Sequence, residues 1–312
     1  MAKVKTFKTI FPAVSVPLNA DYSINEPEFR TYLRWIKSFY GKGIEGLVCN
    51  GHTGEITGLT RAERKRVVEI CSEECGDVMT IISGVNCENT AESIEMAKEA
   101  KEAGADGILL MPPHMWLRFG MNPNAPFEYV KDVAEGADID IIIHLYPATS
   151  KAFYPVETLI KMCKEIDHVK CIKMGTRVTS IYEHDVRLLR QECPDISLIT
   201  CHDETLCVSW FPGMDGALIG FAGCVPELIC PAWDVFKNPD KHTLKEAQDW
   251  SNRIYHISQA IYGGGQPSGE AHARLKEALY QRGIFTSALM RKPVLPLNQE
   301  EKDWVALGLE RS

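Results

Sequence analysis

Short apolar runs rich in β-branched residues recur along the chain, separated by amphipathic segments of about 8 to 15 residues. Eight runs have the length and composition of strands, at residues 11–18, 46–50, 80–85, 107–112, 140–146, 169–174, 197–202 and 216–221. Helical periodicity lies between them, at residues 26–40, 61–74, 90–103, 127–134, 156–165 and 181–193. This alternation predicts repeated βα units and an α/β fold with a parallel sheet.

Local signals support these assignments. The third helical segment has a capping residue before it, Asn89 or Thr90, and Gly104 after it. Residues 107–111 and 141–146 are nearly continuous apolar runs, which is typical of parallel strands buried on both faces. Eight βα units close into a (β/α)8 TIM barrel, and we predict that architecture.

The chain extends well beyond the barrel. The eighth run ends at residue 221 of 312, and the remainder is mostly helical, from 241 to 279 and again from 300 to 309. We therefore predict a catalytic barrel at residues 1–238 and a helical region at residues 239–312 that packs on it. An α/β barrel of roughly 250 residues folds as one unit, so the length does not require a second globular domain.

A doubly wound open sheet is the main alternative fold. Such a sheet usually carries a Gly-x-Gly-x-x-Gly or P-loop motif after its first strand, and neither motif is present there. Gly263, Gly264 and Gly265 follow a helical segment, so we interpret them as a helix stop and turn. The sequence predicts no dinucleotide and no other cofactor.

Charge and cysteine content exclude several classes of partner. The net charge of −8 and pI near 5.7 argue against binding along a nucleic-acid backbone. There is no apolar stretch long enough for a membrane span and no signal sequence, so we expect a cytoplasmic protein that binds a small molecule. The eleven cysteines include no Cys-x-x-Cys pair, and Cys71 and Cys75 lack further zinc ligands; we predict neither disulfides nor a metal site.

Lys173 and Tyr146 are the candidate catalytic residues, because active sites of barrels lie at the carboxyl ends of the strands. Burial of Lys173 inside an apolar strand favours the neutral, nucleophilic amine. Tyr146 ends the preceding strand and is placed to move protons. The alternatives are a salt-bridged or snorkelling lysine and a packing tyrosine, and His144 on the same face as Tyr146 fits a core histidine.

The loop Gly51-His52-Thr53-Gly54-Glu55 follows the second strand. Glycines on both sides of a polar pair suit a tight loop whose N–H groups and hydroxyl hold a carboxylate, although a plain turn has the same composition. Lys151 and the pair His202-Asp203 also follow strands and are able to reach a substrate tail; a solvated surface position is the alternative for each.

In their order and spacing, this loop, Tyr146 and Lys173 resemble the dihydrodipicolinate synthase and N-acetylneuraminate lyase family of class I aldolases. The resemblance extends from about Phe11 through the barrel and, more loosely, the C-terminal helices. It implies that Lys173 forms an imine with pyruvate or another 2-oxo acid, that Tyr146 relays protons, and that the loop with Thr53 binds the carboxylate. It also implies that the carbonyl of Leu218 shapes the site and that the protein is a homo-oligomer, a tetramer or dimer.

Three departures from the synthase branch concern the substrate. His52 stands where the family usually has Thr or Ser, and Pro112-Pro113-His114 replaces a pair of tyrosines. Lys151 replaces an arginine that grips the aldehyde substrate's carboxylate, and an ammonium lacks the bidentate fork of a guanidinium. These differences speak against dihydrodipicolinate synthesis itself, and they make His52 and His114 candidates for contact with a different substrate.

The sequence thus predicts a Schiff-base-forming lyase or aldolase acting on pyruvate or another 2-oxo acid. A 2-keto-3-deoxy sugar acid dehydratase or aldolase of the same family is one alternative. A metal-dependent barrel enzyme using His52, His144, His202, Asp203 and Glu55 is an alternative from another class, and a non-catalytic 2-oxo acid sensor is a further one.

Overall fold

The computed structural model describes residues 3–263 and 269–312. Eight parallel strands in these residues form one sheet, in which each strand from β2 to β8 pairs with the next and β8 pairs with β1. Isolated bridges Ala13↔Val48 and Ile10↔Ile44 join the first strand to the second. The predicted (β/α)8 barrel is therefore confirmed. The strands are β1 (Ile10–Pro12), β2 (Gly46–Cys49), β3 (Thr80–Val85), β4 (Gly107–Leu110), β5 (Asp140–His144), β6 (Val169–Met174), β7 (Ser197–Thr200) and β8 (Gly216–Ile219).

Helices follow the strands and cover the outside of the barrel. They are α1 (Glu26–Lys37), α2 (Arg61–Cys75), α3 (Thr90–Glu102), α4 (His114–Phe119), α5 (Ala125–Ala137), α6 (Val156–Glu165), α7 (Thr179–Glu192), α8 (Leu206–Trp210), α9 (Pro226–Lys237), α10 (Leu244–Tyr262), α11 (Gly269–Gln281) and α12 (Gln299–Glu310). No helix in the described part of the chain combines the length and apolar composition needed to cross a bilayer.

Most predicted elements are present, but several strands are shorter at their carboxyl ends. The predicted strands 140–146 and 197–202 end at His144 and Thr200, so Tyr146 and His202 lie in the loops that follow. Parallel strands diverge at the barrel rim and the backbone pairing ends there, although the residues beyond it remain buried. Side chains in these loops are free to leave the period-two pattern of the strands.

Three helices were not predicted: α4, α8 and α9. The first two are short, and α9 contains Pro231 and is buried over most of its length, which obscures a helical period. The long C-terminal helical segment is interrupted at Gly263, whose left-handed backbone (φ 60°) ends α10. This part of the predicted glycine turn is confirmed, and Gly264 and Gly265 lie outside the described residues.

The barrel interior is closed beneath its rim by apolar side chains. Each strand contributes one buried member to this layer: Phe11, Val48, Ile82, Leu109, Ile142, Cys171, Ile199 and Leu218. A second, larger core fills the space between strands and helices, and it includes Ile257 of α10, Leu279 of α11 and Val305 of α12. The C-terminal helices thus share this second core with other strand residues, such as Leu47 and Ile81. The division at residue 238 stays a prediction.

Candidate active site

A cavity of about 380 Å³ opens at the carboxyl ends of the strands. Among the predicted site residues it brings together Lys173, Tyr146, His52, Thr53, His114 and Leu218. A larger hollow of about 490 Å³ lies beside it, bordered by residues of α7 and α8 and sharing Arg177, but neither Lys173 nor Tyr146 lines it. The cavity with the lysine is therefore the candidate active site.

Lys173 lies on β6, paired in register with His144 of β5, and its side chain is half-buried where it lines the cavity. Within residues 3–263 and 269–312, no carboxylate forms a salt bridge with its ammonium group. Burial lowers the pKa of Lys173, an effect that nearby Cys201 and Asp203 oppose and Arg177 reinforces. The salt-bridged alternative therefore does not describe this lysine, and burial shifts its equilibrium toward the neutral amine.

Tyr146 and two histidines form an aromatic cluster beside the lysine. The Tyr146 hydroxyl is 3.3 Å from His52 Nε2, and the ring centroids of His144 and Tyr146 are 4.9 Å apart. Burial raises the pKa of Tyr146, so the phenol stays protonated. Burial, and then the charge of Lys173, lower the pKa of His52 to about 3 and that of His144 well below its usual value. The cluster is uncharged at neutral pH, and the phenol donates to His52 when Nε2 is the unprotonated nitrogen.

The loop after β2 has an unusual backbone. Asn50 (φ 51°) and Glu55 (φ 56°) lie in the left-handed region on either side of it, which is uncommon for residues other than glycine. The Gly54 N–H donates to Gly51 O at 3.1 Å and the Glu55 N–H to His52 O at 3.0 Å, forming a tight turn. The N–H groups of His52 and Thr53 have no acceptor among the described residues, and both residues line the cavity. An anion is the natural acceptor for such groups.

Gly54 and Lys151 are not among the residues that line the cavity. The Gly54 N–H is used within the turn, and a Cβ at this position would lie 3.0 Å from Val14 O, so the glycine shapes the loop. Lys151 is exposed, and its ammonium donates to Arg118 O at 3.2 Å. The predicted contact of these two residues with substrate is not supported by their positions.

His114 and Leu218 lie on opposite walls of the cavity. His114 begins α4, and its Nε2 is 3.3 Å from Asn86 Nδ2. Leu218 is buried on β8 and belongs both to the cavity lining and to the interior apolar layer. Both positions agree with the predicted substrate contacts.

Among the cavity residues that the sequence does not predict, three have large polar side chains: Arg177, Tyr262 and His272. Arg177 Nε is 2.5 Å from Glu204 Oε1, and Nη1 donates to Gly175 O at 2.9 Å. Its signal was a charged residue soon after the end of β6. Tyr262 and His272 come from α10 and α11, far from any strand end, and nothing in the sequence near them marks them.

His202 and Asp203, considered together in the sequence, point to different places. Asp203 is buried in the cavity wall, where it accepts N–H groups of Phe221 at 2.9 Å and Gly220 at 3.4 Å. Burial raises the pKa of Asp203 to about 6. His202 lines the neighbouring hollow instead, with its ring 4.8 Å from that of Tyr182, and burial lowers its pKa to about 3.

The charged side chains that line the cavity limit the kind of ligand that it can bind. Asp203 is the one carboxylate among the described lining residues, whereas Lys173 and Arg177 are both basic. This balance suits an anionic ligand. Among residues 3–263 and 269–312, no three His, Cys, Asp or Glu side chains converge in a way that would hold a metal ion, as the metal-dependent alternative requires.

The sequence model of the dihydrodipicolinate synthetase family matches residues 6–311, nearly the whole chain. The chain belongs to this family. The resemblance inferred from the loop, Tyr146 and Lys173 is therefore confirmed, and as a family member the protein is a lyase.

Relatives within the family are distant. A 4-hydroxy-tetrahydrodipicolinate synthase of Bartonella bacilliformis is 25% identical over 307 residues, covering 98% of each chain. An uncharacterized DapA-like lyase of Pyrococcus horikoshii is 29% identical over 292 residues, covering 93% of this chain and 95% of its own. These identities leave the substrate open within the family.

Solved structures of the family share the fold. YagE, a prophage protein of the dihydrodipicolinic acid synthase family from E. coli K12, in complex with pyruvate, superposes with a TM-score of 0.86 at 20% identity, covering 98% of this chain and 99% of its own. Dihydrodipicolinate synthase from Aquifex aeolicus gives 0.85 at 19% identity, with 97% of both chains covered. At such identities the likeness establishes the architecture alone.

Proposed function

We propose that this protein is a Schiff-base-forming lyase that acts on pyruvate or another 2-oxo acid through Lys173. The observation that carries the proposal is a lysine of lowered pKa in one cavity with a protonated tyrosine and the loop after β2. Among the described residues, this lysine has no salt bridge and the N–H groups of His52 and Thr53 have no acceptor. These are the nucleophile, the acid and the carboxylate site that imine formation with a 2-oxo acid needs. The pyruvate bound to YagE, which has the same fold, supports this ligand class.

Each step of imine formation is assigned to a residue that lines the cavity. The substrate carboxylate accepts the N–H groups of His52 and Thr53, which places the keto carbon at Lys173. The Lys173 amine attacks that carbon, and the resulting carbinolamine loses its hydroxyl as water when Tyr146 donates a proton. His52, 3.3 Å from the Tyr146 hydroxyl, accepts the hydrogen bond of the phenol before this transfer. The phenolate left behind balances the charge of the protonated imine until it takes up a proton in a later step. The protonated imine at C2 then accepts the electron pair of a bond to C3, either C3–C4 or C3–H.

The fate of the imine separates two reactions of the same site. Cleavage or formation of the bond between C3 and C4 makes the enzyme an aldolase, and loss of water from a 2-keto-3-deoxy sugar acid makes it a dehydratase. The position of Lys151 outside the cavity favours both over dihydrodipicolinate synthesis, because no side chain at that position grips the carboxylate of an aldehyde substrate.

The proposal includes assembly and location. We infer a homo-oligomer, a tetramer or dimer, in the cytoplasm. A structure of the same fold is described as the first monomeric dihydrodipicolinate synthase variant, which sets the monomer apart in that enzyme. All eleven cysteines are free thiols, in agreement with a reducing compartment. Light scattering should give a mass of two or four times the 35.0 kDa of one chain.

Borohydride trapping tests the mechanism. The protein is incubated with pyruvate and sodium borohydride, and its intact mass is measured beside those of Lys173→Ala and Lys170→Ala. Lys170 lies on the same strand but is exposed, so it is a matched control. We expect a pyruvate adduct in the wild type and in Lys170→Ala and none in Lys173→Ala. Absence of an adduct with pyruvate and with longer 2-oxo acids, together with activity that a chelator abolishes and Lys173→Ala retains, would favour the metal-dependent alternative.

A further inference from the structure

A second buried lysine lies behind the carboxylate loop. Lys276 of α11 is 0% exposed, and its ammonium contacts Glu55 Oε1 and donates to Leu289 O at 2.9 Å. An ammonium without partners in such a place is strongly unfavourable, so the contact with Glu55 is needed to keep it there. The two residues are separated by 221 positions, and the pair joins the C-terminal region to the barrel.

Among the described residues, the Glu55 carboxylate is bound only by that region. One carboxylate oxygen contacts Lys276, and the other accepts the N–H of Arg291 at 2.8 Å. The Arg291 guanidinium also donates to Gly58 O at 2.7 Å, on the other side of the same turn. Lys276 and Arg291 therefore bind the loop after β2, and neither of them lines the cavity.

The contacts of the Glu55 side chain affect the cavity side of the loop through the backbone. Glu55 has left-handed backbone angles, and its N–H donates to the carbonyl of His52. A non-glycine residue keeps this conformation only where its surroundings hold it. Releasing the Glu55 carboxylate allows the backbone to relax, and the turn that presents the N–H groups of His52 and Thr53 relaxes with it.

We propose that Lys276, through its buried ion pair with Glu55, is a positioning residue that aligns the 51–55 loop and so sets the preference for the substrate's carboxylate. Only the part of this inference that concerns substrate binding rests on the proposed function. Lys276 does not line the cavity and touches no reacting atom. Its effect is on recognition of the 2-oxo acid carboxylate and not on the chemistry at Lys173.

The test compares two ketones that differ in charge. Pyruvate and methyl pyruvate share the keto group, but the ester has no carboxylate. Borohydride trapping of each is measured at subsaturating concentration in the wild type and in Lys276→Met, whose side chain is of similar length without the charge. We expect the preference for pyruvate over the ester to fall about tenfold or more, because charge-assisted hydrogen bonds are lost, while the trapping rate at saturating pyruvate changes little.

Controls separate positioning from loss of stability. Ile257→Ala opens a cavity in the core around α10, at a residue that does not line the active-site cavity, and should lower the melting temperature without changing the preference. Global unfolding reduces trapping of both ketones equally, so the ratio reports the loop. If Lys276→Met does not fold, Glu55→Gln/Lys276→Met takes its place, because that variant buries no unpaired charge.

Hydrogen exchange provides a measurement without substrate. Amide exchange of a peptide covering residues 50–58 should rise about tenfold in Lys276→Met and stay unchanged in Ile257→Ala. Unchanged exchange together with an unchanged preference would overturn the positioning role and leave the proposed function intact. Absence of a pyruvate adduct in the wild type would instead refute the proposed function and the substrate side of this inference, while exchange still decides whether Lys276 holds the loop.

Discussion

At the scale of single residues, two buried lysines show how a partner decides chemistry. Burial lowers the pKa of both Lys173 and Lys276. Lys276 has the carboxylate of Glu55 against its ammonium, whereas Lys173 forms no salt bridge within the described residues and lines a cavity. Lys276 therefore has a partner that stabilises its charge, whereas Lys173 has the surroundings that its proposed role as nucleophile requires.

The lowered pKa of Lys173 predicts the pH dependence of imine formation. Burial destabilises the protonated amine, so the neutral fraction at a given pH is larger than for an exposed lysine. The rate of pyruvate trapping at subsaturating concentration should rise with pH along a curve whose apparent pKa lies below 10.5, the ordinary value. The curve is measured by determining the amount of trapped adduct at fixed reaction times over a series of pH values. An apparent pKa at or above the ordinary value would contradict the proposed role of burial.

Tyr146 should act on proton transfer and not on binding. Replacing Tyr146 by Phe removes the hydroxyl that contacts His52 and should slow imine formation about 10²- to 10⁴-fold, the usual contribution of a positioned acid. The half-saturating pyruvate concentration should change little, because the hydroxyl contacts the His52 ring and not the backbone N–H groups of His52 and Thr53. Tyr182→Phe is the control, since its hydroxyl donates to Ser209 O at 2.9 Å outside the cavity. Equal effects of the two substitutions would count against a catalytic tyrosine.

At the scale of elements, the site depends on how closely neighbouring strands and loops approach. A Cβ at Gly84 of β3 would lie 1.8 Å from Asn50 O, and one at Gly175 after β6 would lie 2.0 Å from Leu145 O. Glycine alone permits these contacts. The first sets the start of the 51–55 loop, and the second sets the segment leading to Tyr146. These two glycines have no side chain that could take part in the chemistry, but they help to bring the 51–55 loop, Tyr146 and Lys173 together.

Gly84→Ala should therefore disturb both stability and binding. Its methyl group must displace the Asn50 carbonyl, which we expect to cost about 1–3 kcal/mol in the free energy of unfolding, as overpacking does. The half-saturating pyruvate concentration should rise as well, because the loop moves. Ile81→Val on the same strand is the control, with an expected cost of about 0.5–1.5 kcal/mol and no effect on binding. Denaturant unfolding and borohydride trapping measure the two effects, and wild-type affinity in the Gly84→Ala variant would show that the loop does not depend on this contact.

At the scale of the whole molecule, the C-terminal helices complete the barrel. Tyr262 and His272 line the cavity, and Lys276 and Arg291 hold the loop after β2. Helices α10, α11 and α12 share the large core with residues of the barrel strands. The site is therefore a product of both regions. A barrel cut off before α10 would lose part of the cavity wall and the support of its carboxylate loop.

Shared packing predicts one cooperative unfolding transition. Calorimetry should give a single peak, and Ile257→Ala, which truncates a fully buried side chain of α10, should lower the free energy of unfolding by about 2–5 kcal/mol while shifting that peak as a whole. Far-UV circular dichroism and pyruvate trapping should be lost over the same temperature range. Two separated peaks, with only one displaced by Ile257→Ala, would show that the C-terminal region unfolds independently.

The sequence by itself determined the family and the barrel, and it predicted that Lys173 and Tyr146 lie together, as they do in the cavity. Alternating apolar runs and helical periods are local signals, and Val156–Glu165 and Val169–Met174 were predicted to the residue. Lys173 and Tyr146 were found because the carboxyl ends of parallel strands meet at one rim of a barrel. Strand ends were predicted less well, since backbone pairing stops where the strands diverge while apolar composition continues.

Only the tertiary structure decided which polar side chains face the cavity. Gly54 and Lys151 lie near the site in sequence yet do not line it, and Tyr262 and His272 do so from helices distant along the chain. The partner of Glu55 lies 221 positions away on α11. Side chains in loops follow no period, and contacts between remote segments depend on how the whole chain packs, so local pattern carries no information about either.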